Sequence, residues 1–430
     1  MTDGAAPSLW SRRDFWRIVV GQVSTQLGTD VTSIAFPLTA VLILHASPFE
    51  LGLLVAIQNG AFLVVGLPTG VWLDRRRLRP TLIATDLVRC AALVSVAAMA
   101  ALSQLTMGFL MAVAAVMSVM RVVFEIGYQS YLPTIVSREQ LVQGNSTVEA
   151  VRASGQVAGS GLGGWLTQLL GAANALLIDA VSYLVSAVCL WTVRTREERP
   201  ARTAERGVLH QAWEGVAYVL ANPVLRAIAA TSALSNLFFT AATALTILFL
   251  VETVGFRAGV AGMLLSAASA ATLVGAALAT PLARRVGSAR IIWLSVAATG
   301  PVNLLIPLTE KDWRVVLFLI AVTVSGAGQI VYAITQVSYR QALVPKAILN
   351  RVNASMRFLV MGALPLGGLL GGALGSAVGV RPTLLAIGVG LALSPLPLVF
   401  SPLRRARDLE DLTPATTLAR PARDAEQPIR

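Results

Sequence analysis

In the first half of the chain eight ionisable side chains interrupt stretches of sequence that are otherwise apolar: Asp30, Asp86, Arg89, Arg121, Glu125, Glu149, Arg152 and Asp179. If those stretches lie in lipid, each charge costs about 2.5–3.5 kcal/mol at the centre of the layer, so each is kept for a structural ion pair or for work. The work open to a buried carboxyl is proton carriage. Desolvation favours its neutral form and a nearby guanidinium its ionised form, so a change of surroundings loads or unloads a proton. Glu125 is the first candidate, with Arg121 one helical turn before it and Arg152 on the next apolar stretch. Asp30 is the rival carrier. A fixed Arg121–Glu125 pair that only holds its helix in place is the plainer reading of the same spacing. Asp86 and Arg89, three residues apart, read as a structural pair, and Asp179 as a partner for a neighbouring helix.

These charges belong to polar stripes. Gln22, Gln26, Asp30 and Ser33 recur at steps of four, four and three; Ser118, Arg121, Glu125 and Gln129 do much the same, as do Asn145, Glu149, Arg152 and Gln156. In the second half of the chain Ser325, Gln329, Tyr332 and Gln336 form a stripe, and Ser232, Asn236, Phe239 and Thr243 a milder one. Such steps place each set on one helical face. That face must line another helix or a cavity. Gln22, Gln26, Gln129, Asn236, Phe239, Gln329 and Gln336 are the candidate ligand contacts, amide and aromatic groups suited to flat, partly apolar molecules, cationic ones among them.

The elements that carry the stripes are long. A membrane helix needs about 20 mostly apolar residues. Twelve such runs lie near 16–44, 50–72, 80–103, 106–130, 144–169, 173–193, 223–250, 257–280, 289–308, 314–337, 351–377 and 381–401. Of the 34 Lys and Arg residues, 25 fall at the termini and in alternate loops, four in the opposite loops, and five within the runs. Basic loops stay in the cytoplasm, so both termini are expected there, and the helix count is even. Arg226 and Arg357 are the only second-half charges within runs, both toward the basic-loop side.

Composition agrees. Only 13% of the 430 residues are charged, and 55% are hydrophobic, with a mean hydropathy of +0.71; a soluble domain carries roughly 25% charge. The net charge of +12 is not a nucleic-acid signal, because the basic residues cluster between apolar runs without an interleaved aromatic surface. Cys90 and Cys189 lack metal or redox spacing, and His45 and His210 fall in loops or at helix ends. No phosphate loop, metal set or catalytic cluster is present, so no cofactor, no metal and no enzyme activity are expected. Ser11-Arg12-Arg13 imitates a twin-arginine signal, but the run after it contains Gln22, Gln26 and Asp30, so the arginines flank a first membrane helix.

The chain divides into a six-helix bundle over 1–193, a linker over 194–222 with a possible surface helix, a second bundle over 223–401, and a tail over 402–430 expected to be disordered. The halves repeat. Asn145, Gly159, Gly163 and Gly164 match Asn353, Gly367, Gly371 and Gly372 at an offset of 208 without a gap. Repeated halves around a midplane site are the usual build of secondary transporters.

The loop Gly66-Leu-Pro-Thr-Gly70-Val-Trp-Leu-Asp74-Arg75-Arg76-Arg77-Leu-Arg79 resembles the signature of the major facilitator superfamily, with a degenerate copy, lacking the acid, at Leu282–Gly287. Ser47–Leu54, Asp86-Leu-Val-Arg89, Tyr128–Pro133, Asp179–Leu184 and the Val344-Pro345 to Ala354 segment resemble the enterobactin- and macrolide-exporting branch of its drug:proton antiporters. The likeness spans about residues 14 to 400. One departure is Ser160, which stands where such exporters often carry a proline in a glycine-rich fifth helix.

The resemblance implies an all-α fold of twelve transmembrane helices, with helices one, four, seven and ten around a central cavity. It implies a monomer in the cytoplasmic membrane that meets lipid, protons and a small amphipathic substrate, and no nucleic acid. It assigns a conformational switch to Gly70, Asp74, Arg75 and Arg79, with Asp74 reaching the start of helix eleven near Arg351. Export by proton antiport with alternating access is the implied activity; import or lipid translocation is the alternative. Asp30 lies one position from the acid many relatives carry.

The charge asymmetry of the loops gives a direct expectation. Single cysteines introduced by Pro200→Cys or Ala415→Cys, with Cys90 and Cys189 replaced, should react with an impermeant maleimide only after the membrane is permeabilised. Labelling of either in intact cells overturns the orientation.

Overall fold

The computed structural model describes residues 13–73, 76–131, 134–135, 147, 151, 155, 162–195, 216–344 and 346–407. Among them the fold is all-α. In lipid no water satisfies backbone amides, so each apolar run closes its own hydrogen bonds as a helix. The first half holds α1 (Arg13–Leu42), α2 (Pro48–Leu73), α3 (Leu78–Ala101), α4 (Met107–Tyr131), α5 (described over 162–170) and α6 (Ala172–Thr192). The second holds α7 (Pro223–Leu248), α8 (Ala258–Val286), α9 (Arg290–Thr299), α10 (Val315–Leu343), α11 (Lys346–Val378) and α12 (Val380–Leu393). Ten described segments are long and apolar enough to cross a membrane. α1 has the length but is the most polar of the long helices.

Local sequence sets the helix ends. Ser47 and Glu50 form a capping box on α2: the Ser47 amide and hydroxyl both donate to Glu50 Oε2 at 2.8 Å. Asn222 caps α7 by accepting from the amides of Val224 and Leu225 at 3.0 Å, with Pro223 at the first position. Where prolines crowd, the runs depart from plain helix. The ninth run turns from α to 3-10 geometry over Gly300–Leu308, which contains Pro301 and Pro307. The twelfth breaks at Ser394-Pro395 and resumes as the single turn Leu396–Val399. α7 runs on into a π-turn at Phe249–Thr253.

Within the first half α1 packs on α6, α6 on α3, α3 on α4, and α4 on α2. Adding six to each number gives the second half: α7 packs on α12, the ninth run on α12 and on α10, and α10 on α8. The two halves meet along α2 against α11 and at the contact of α5 with α8. Both contacts need glycine. A β-carbon on Gly52 would meet Gly372 Cα at 2.6 Å, and one on Gly164 would meet Gly262 Cα at 2.7 Å. Gly164 and Gly372 are repeat partners at the offset of 208, so the matched glycines do the same work on opposite sides of the pseudo-repeat. Phe49 N to Ser376 Oγ at 2.9 Å and Gly259 N to Gln168 Oε1 at 3.0 Å lock the same two seams. All four contacts gather at the end of the bundle away from the start of α1.

Two expectations change. The tail does not lose order at 402. Pro402–Arg404 forms a 3-10 turn, Leu403 is fully buried, and the Arg407 carbonyl accepts from the amides of Ala289 at 3.1 Å and Arg290 at 3.3 Å. These amides are orphan donors at the start of α9, which is why the tail is held there. Arg79, expected in the switch, has a structural role as well. Its Nε donates to the Leu190 carbonyl at 2.9 Å and its Nη2 to that of Trp191. A guanidinium on the last carbonyls of α6 closes that helix and anchors α3 to it. The surface helix expected in the linker is described only as a helical stretch over 216–221; its earlier part lies outside the described residues.

Overfilling the glycine seam should cost about 1–3 kcal/mol. Gly52→Val is therefore expected to lower the thermal unfolding midpoint in detergent, while Gly108→Ala, where a β-carbon meets nothing within 4 Å, should leave it unchanged.

Candidate functional site

A cavity of about 900 Å³ opens between the halves. Its described wall comes from α1 (Gln22, Gln26, Thr29), α2 (Asn59, Phe62), α3 (Arg89), α4 (Arg121, Glu125, Tyr128, Gln129) and α11 (Arg357, Met361), with smaller contributions beside them. Thr29, Asn59 and Arg89 lie near the middle of their helices and most of the others toward the end of the bundle where α1 begins, away from the glycine seams.

The α4 stripe divides its labour. Ser118 Oγ donates to the Gln58 carbonyl at 2.7 Å and Arg121 Nη2 donates to the same carbonyl at 3.3 Å, which ties α4 to α2. One turn further, Glu125 reaches across the halves, its Oε1 3.3 Å from Arg357 Nη2. The Arg357 guanidinium also lies 4.9 Å from the centre of the Phe62 ring, a cation–π distance. Sequence spacing offers Arg121 as the neighbour of Glu125; the second half supplies Arg357 as a partner as well. Sequence reading placed Arg357 merely near a helix end and missed this. The available signal was that a second-half helix without carboxylates kept a guanidinium about eleven residues inside it.

Behind the wall lies a buried charge cluster. Arg89 Nη1 is 3.7 Å from Asp86 Oδ1, Arg89 Nη2 donates to the Tyr183 hydroxyl at 2.5 Å, and the guanidinium carbon sits 3.9 Å from the Tyr183 ring centre. Asp86 and Asp179 are both fully buried. The Asp86–Arg89 pair is thus present, but it shares its pocket with Asp179, and Arg89 faces the cavity.

The other candidates divide. Gln22, Gln26 and Gln129 line the cavity. Asp30 accepts from Gln26 Nε2 at 2.9 Å, and this places it one bond behind the wall. Asn236, Phe239, Gln329 and Gln336 are not in the described wall. Asn236 donates to the Ser232 carbonyl at 2.8 Å. Gln336 accepts from Arg340 Nη1 at 3.3 Å, and the same guanidinium donates to Asn353 at 2.7 Å, joining α10 to α11. Tyr332 is buried and bonds Ser232, which joins α10 to α7. Of the second-half stripe residues, Tyr332 bonds directly across helices, and Arg340 links Gln336 to Asn353. Arg152, Asp74 and Arg75 lie outside the described residues, and Gly70 is described only as part of α2.

Among its described residues the wall carries three guanidinium groups against one carboxylate. Arg89 is balanced from behind by Asp86 and Asp179, which leaves Arg121 and Arg357 facing Glu125. That surplus does not favour the cationic ligands expected from the amide and aromatic stripes.

The fold has known counterparts. The chain covers 95% of its length and 99% of a bacterial homologue of the human lysosomal transporter Spinster, in an inward-facing, occupied conformation, at TM-score 0.74 and 14% identity. It matches a bacterial homologue of the iron transporter ferroportin, also inward-facing, at TM-score 0.71 and 16% identity, over 91% of this chain and 98% of that one. The nucleoside transporter NupG matches at TM-score 0.70 and 12% identity, over 90% and 99%. In sequence, the multidrug efflux pump Tap of Mycolicibacterium fortuitum is 26% identical over 404 residues, 91% of this chain and 96% of that protein. The model of the Major Facilitator Superfamily matches residues 18–363 and 230–424. With two six-helix halves closed at one end around a polar cavity, this chain belongs to the Major Facilitator Superfamily of membrane transporters.

Proposed function

We propose that this chain exports small amphipathic molecules across the cytoplasmic membrane in exchange for protons. The observation that carries the reading is the Glu125–Arg357 pair, an ionisable bridge between the halves inside the cavity. Alternating access requires the halves to rock about the site, so a bond across them is made in one state and broken in the other. A proton on Glu125 removes the carboxylate charge and with it the attraction to Arg357. Protonation and the bridge therefore exclude one another. Asp30, bonded to the wall residue Gln26, remains the second choice. Gln22, Gln26 and Gln129 are the proposed ligand amides, beside the apolar faces of Phe62 and Met361.

Direction and side come from other grounds. The basic loops support a cytoplasmic start of α1, in which case the cavity faces inward and the glycine seams close the outer end. The efflux activity of Tap, named for that relative, supports export. An importer or a lipid translocator of the same fold is the alternative, since the structural counterparts include a nucleoside transporter.

The test is flux in proteoliposomes under an imposed pH gradient, with cationic, neutral and anionic fluorescent amphiphiles. Uptake into inside-out-oriented vesicles driven by an acidic lumen is expected for wild type. Glu125→Gln should abolish the gradient-driven component and keep ligand binding. Full proton-driven transport by Glu125→Gln removes that residue from coupling and moves the role to Asp30, and flux of the opposite sign favours the importer.

The bridge should matter to transport far more than to stability. Glu125 and Arg357 are 32% and 46% exposed at their side chains, and ion pairs so wet contribute about 1 kcal/mol or less. A double-mutant cycle of Glu125→Gln and Arg357→Gln should show a coupling below about 1 kcal/mol in unfolding, while either change alone stops gradient-driven flux.

A further inference from the structure

We infer that the buried Asp86–Arg89–Asp179 cluster holds one proton, exchanged with the cavity through Thr29 and Tyr183, as a second proton site in the first half. The inference deepens the proton-coupled reading above and rests on it for its role in transport. It stands on three geometric observations.

The first is charge count. Two carboxylates, each with no exposed surface, share one guanidinium that is itself 5% exposed. Fully ionised, the cluster would bury a net negative charge, which costs several kcal/mol; one proton makes it neutral. The second is hydrogen bonding. Neither oxygen of Asp86 accepts a hydrogen bond, and Asp179 Oδ2 accepts none. Asp179 Oδ1 accepts from Ser182 Oγ at 2.8 Å. With the hydroxyls of Ser182, Ser186 and Thr32 and a single guanidinium around them, two buried carboxylates have too few donors to stay ionised together at low cost. The third is a route. Thr29 lines the cavity, its hydroxyl is 3.1 Å from the Tyr183 hydroxyl, and Tyr183 stands beside Asp179. In transfer, the Tyr183 O–H bond breaks as an Asp179 O–H bond forms. Tyr183 regains a proton from Thr29, and Thr29 from cavity water.

The neighbours of the cluster are few. α1 presents the hydroxyls of Thr29 and Thr32, while its own carboxylate, Asp30, is bonded to Gln26. α4 presents the Phe124 ring, 5.8 Å from the Arg89 guanidinium, and Tyr128, with Glu125 engaged by Arg357. α6 adds Ser182 and Ser186, and α3 adds Cys90. Among the described residues Arg89 is the one cation at the cluster. Loss of the proton draws its guanidinium toward the carboxylates and off the cavity wall; gain of the proton leaves it facing the cavity.

Infrared spectra of the purified full chain in nanodiscs test this without any substrate. At neutral pH the wild type should show the carbonyl band of a neutral carboxylic acid, shifted in heavy water and lost at high pH. Either Asp86→Asn or Asp179→Asn should remove the band, because the remaining carboxylate then balances Arg89. Arg89→Gln should strengthen it about twofold, since both acids then need protons. Tyr183→Phe should slow its hydrogen–deuterium exchange. A wild type without the band, or a band that survives in both Asn variants, overturns the site. If the variants do not fold, the pH titration of the wild-type band decides alone. Gradient-driven flux with a missing band sinks the cluster and spares the exporter; the band without flux does the reverse.

Discussion

A charge placed in hydrocarbon must find another charge or a wet cavity, and this constraint organises the first half of the molecule. Asp86 and Asp179 are held against Arg89 and a set of hydroxyls. Glu125 finds Arg357 across the interface between halves. The helices that carry these groups cannot turn freely, because any rotation would set a carboxylate against lipid. The cavity follows from the same constraint, as a wet place where the stripes of α1 and α4 converge.

The halves share a packing order but not a chemistry. In the second half two members of the α10 stripe take part in joining helices: Tyr332 bonds Ser232, and Gln336 is linked to Asn353 through Arg340. Its one contribution of charge to the described wall is Arg357. Among the described residues the carboxylate of the wall comes from the first half, and the second half gives a guanidinium that pairs with it.

Much of this was legible in the sequence because a membrane leaves few choices. Long apolar runs had to be helices, and their bounds agree with α1–α4 and α6–α12 to within a few residues at most ends. The offset that matched Gly164 to Gly372 also marked the two seams, since glycines in a repeat mark close backbone approach. The face of α4 was readable from its period. What it faced was not: Glu125 pairs with a residue 232 positions away, and periodicity on one helix says nothing about which helix lies opposite. The same limit hid the union of Asp179 with the Asp86–Arg89 pair and the bond of Tyr332 on α10 to Ser232 on α7. Prolines at 301 and 395 shortened helices where composition alone read continuous runs.

The docked segment at residues 402–407 bears on how this chain can be handled. Its last carbonyl closes the first turn of α9 and its leucine fills the floor of the second bundle, so it is masonry of the fold. A fluorescent protein or affinity handle spliced directly after α12 would remove a keystone, whereas one joined beyond Arg407 leaves the masonry standing.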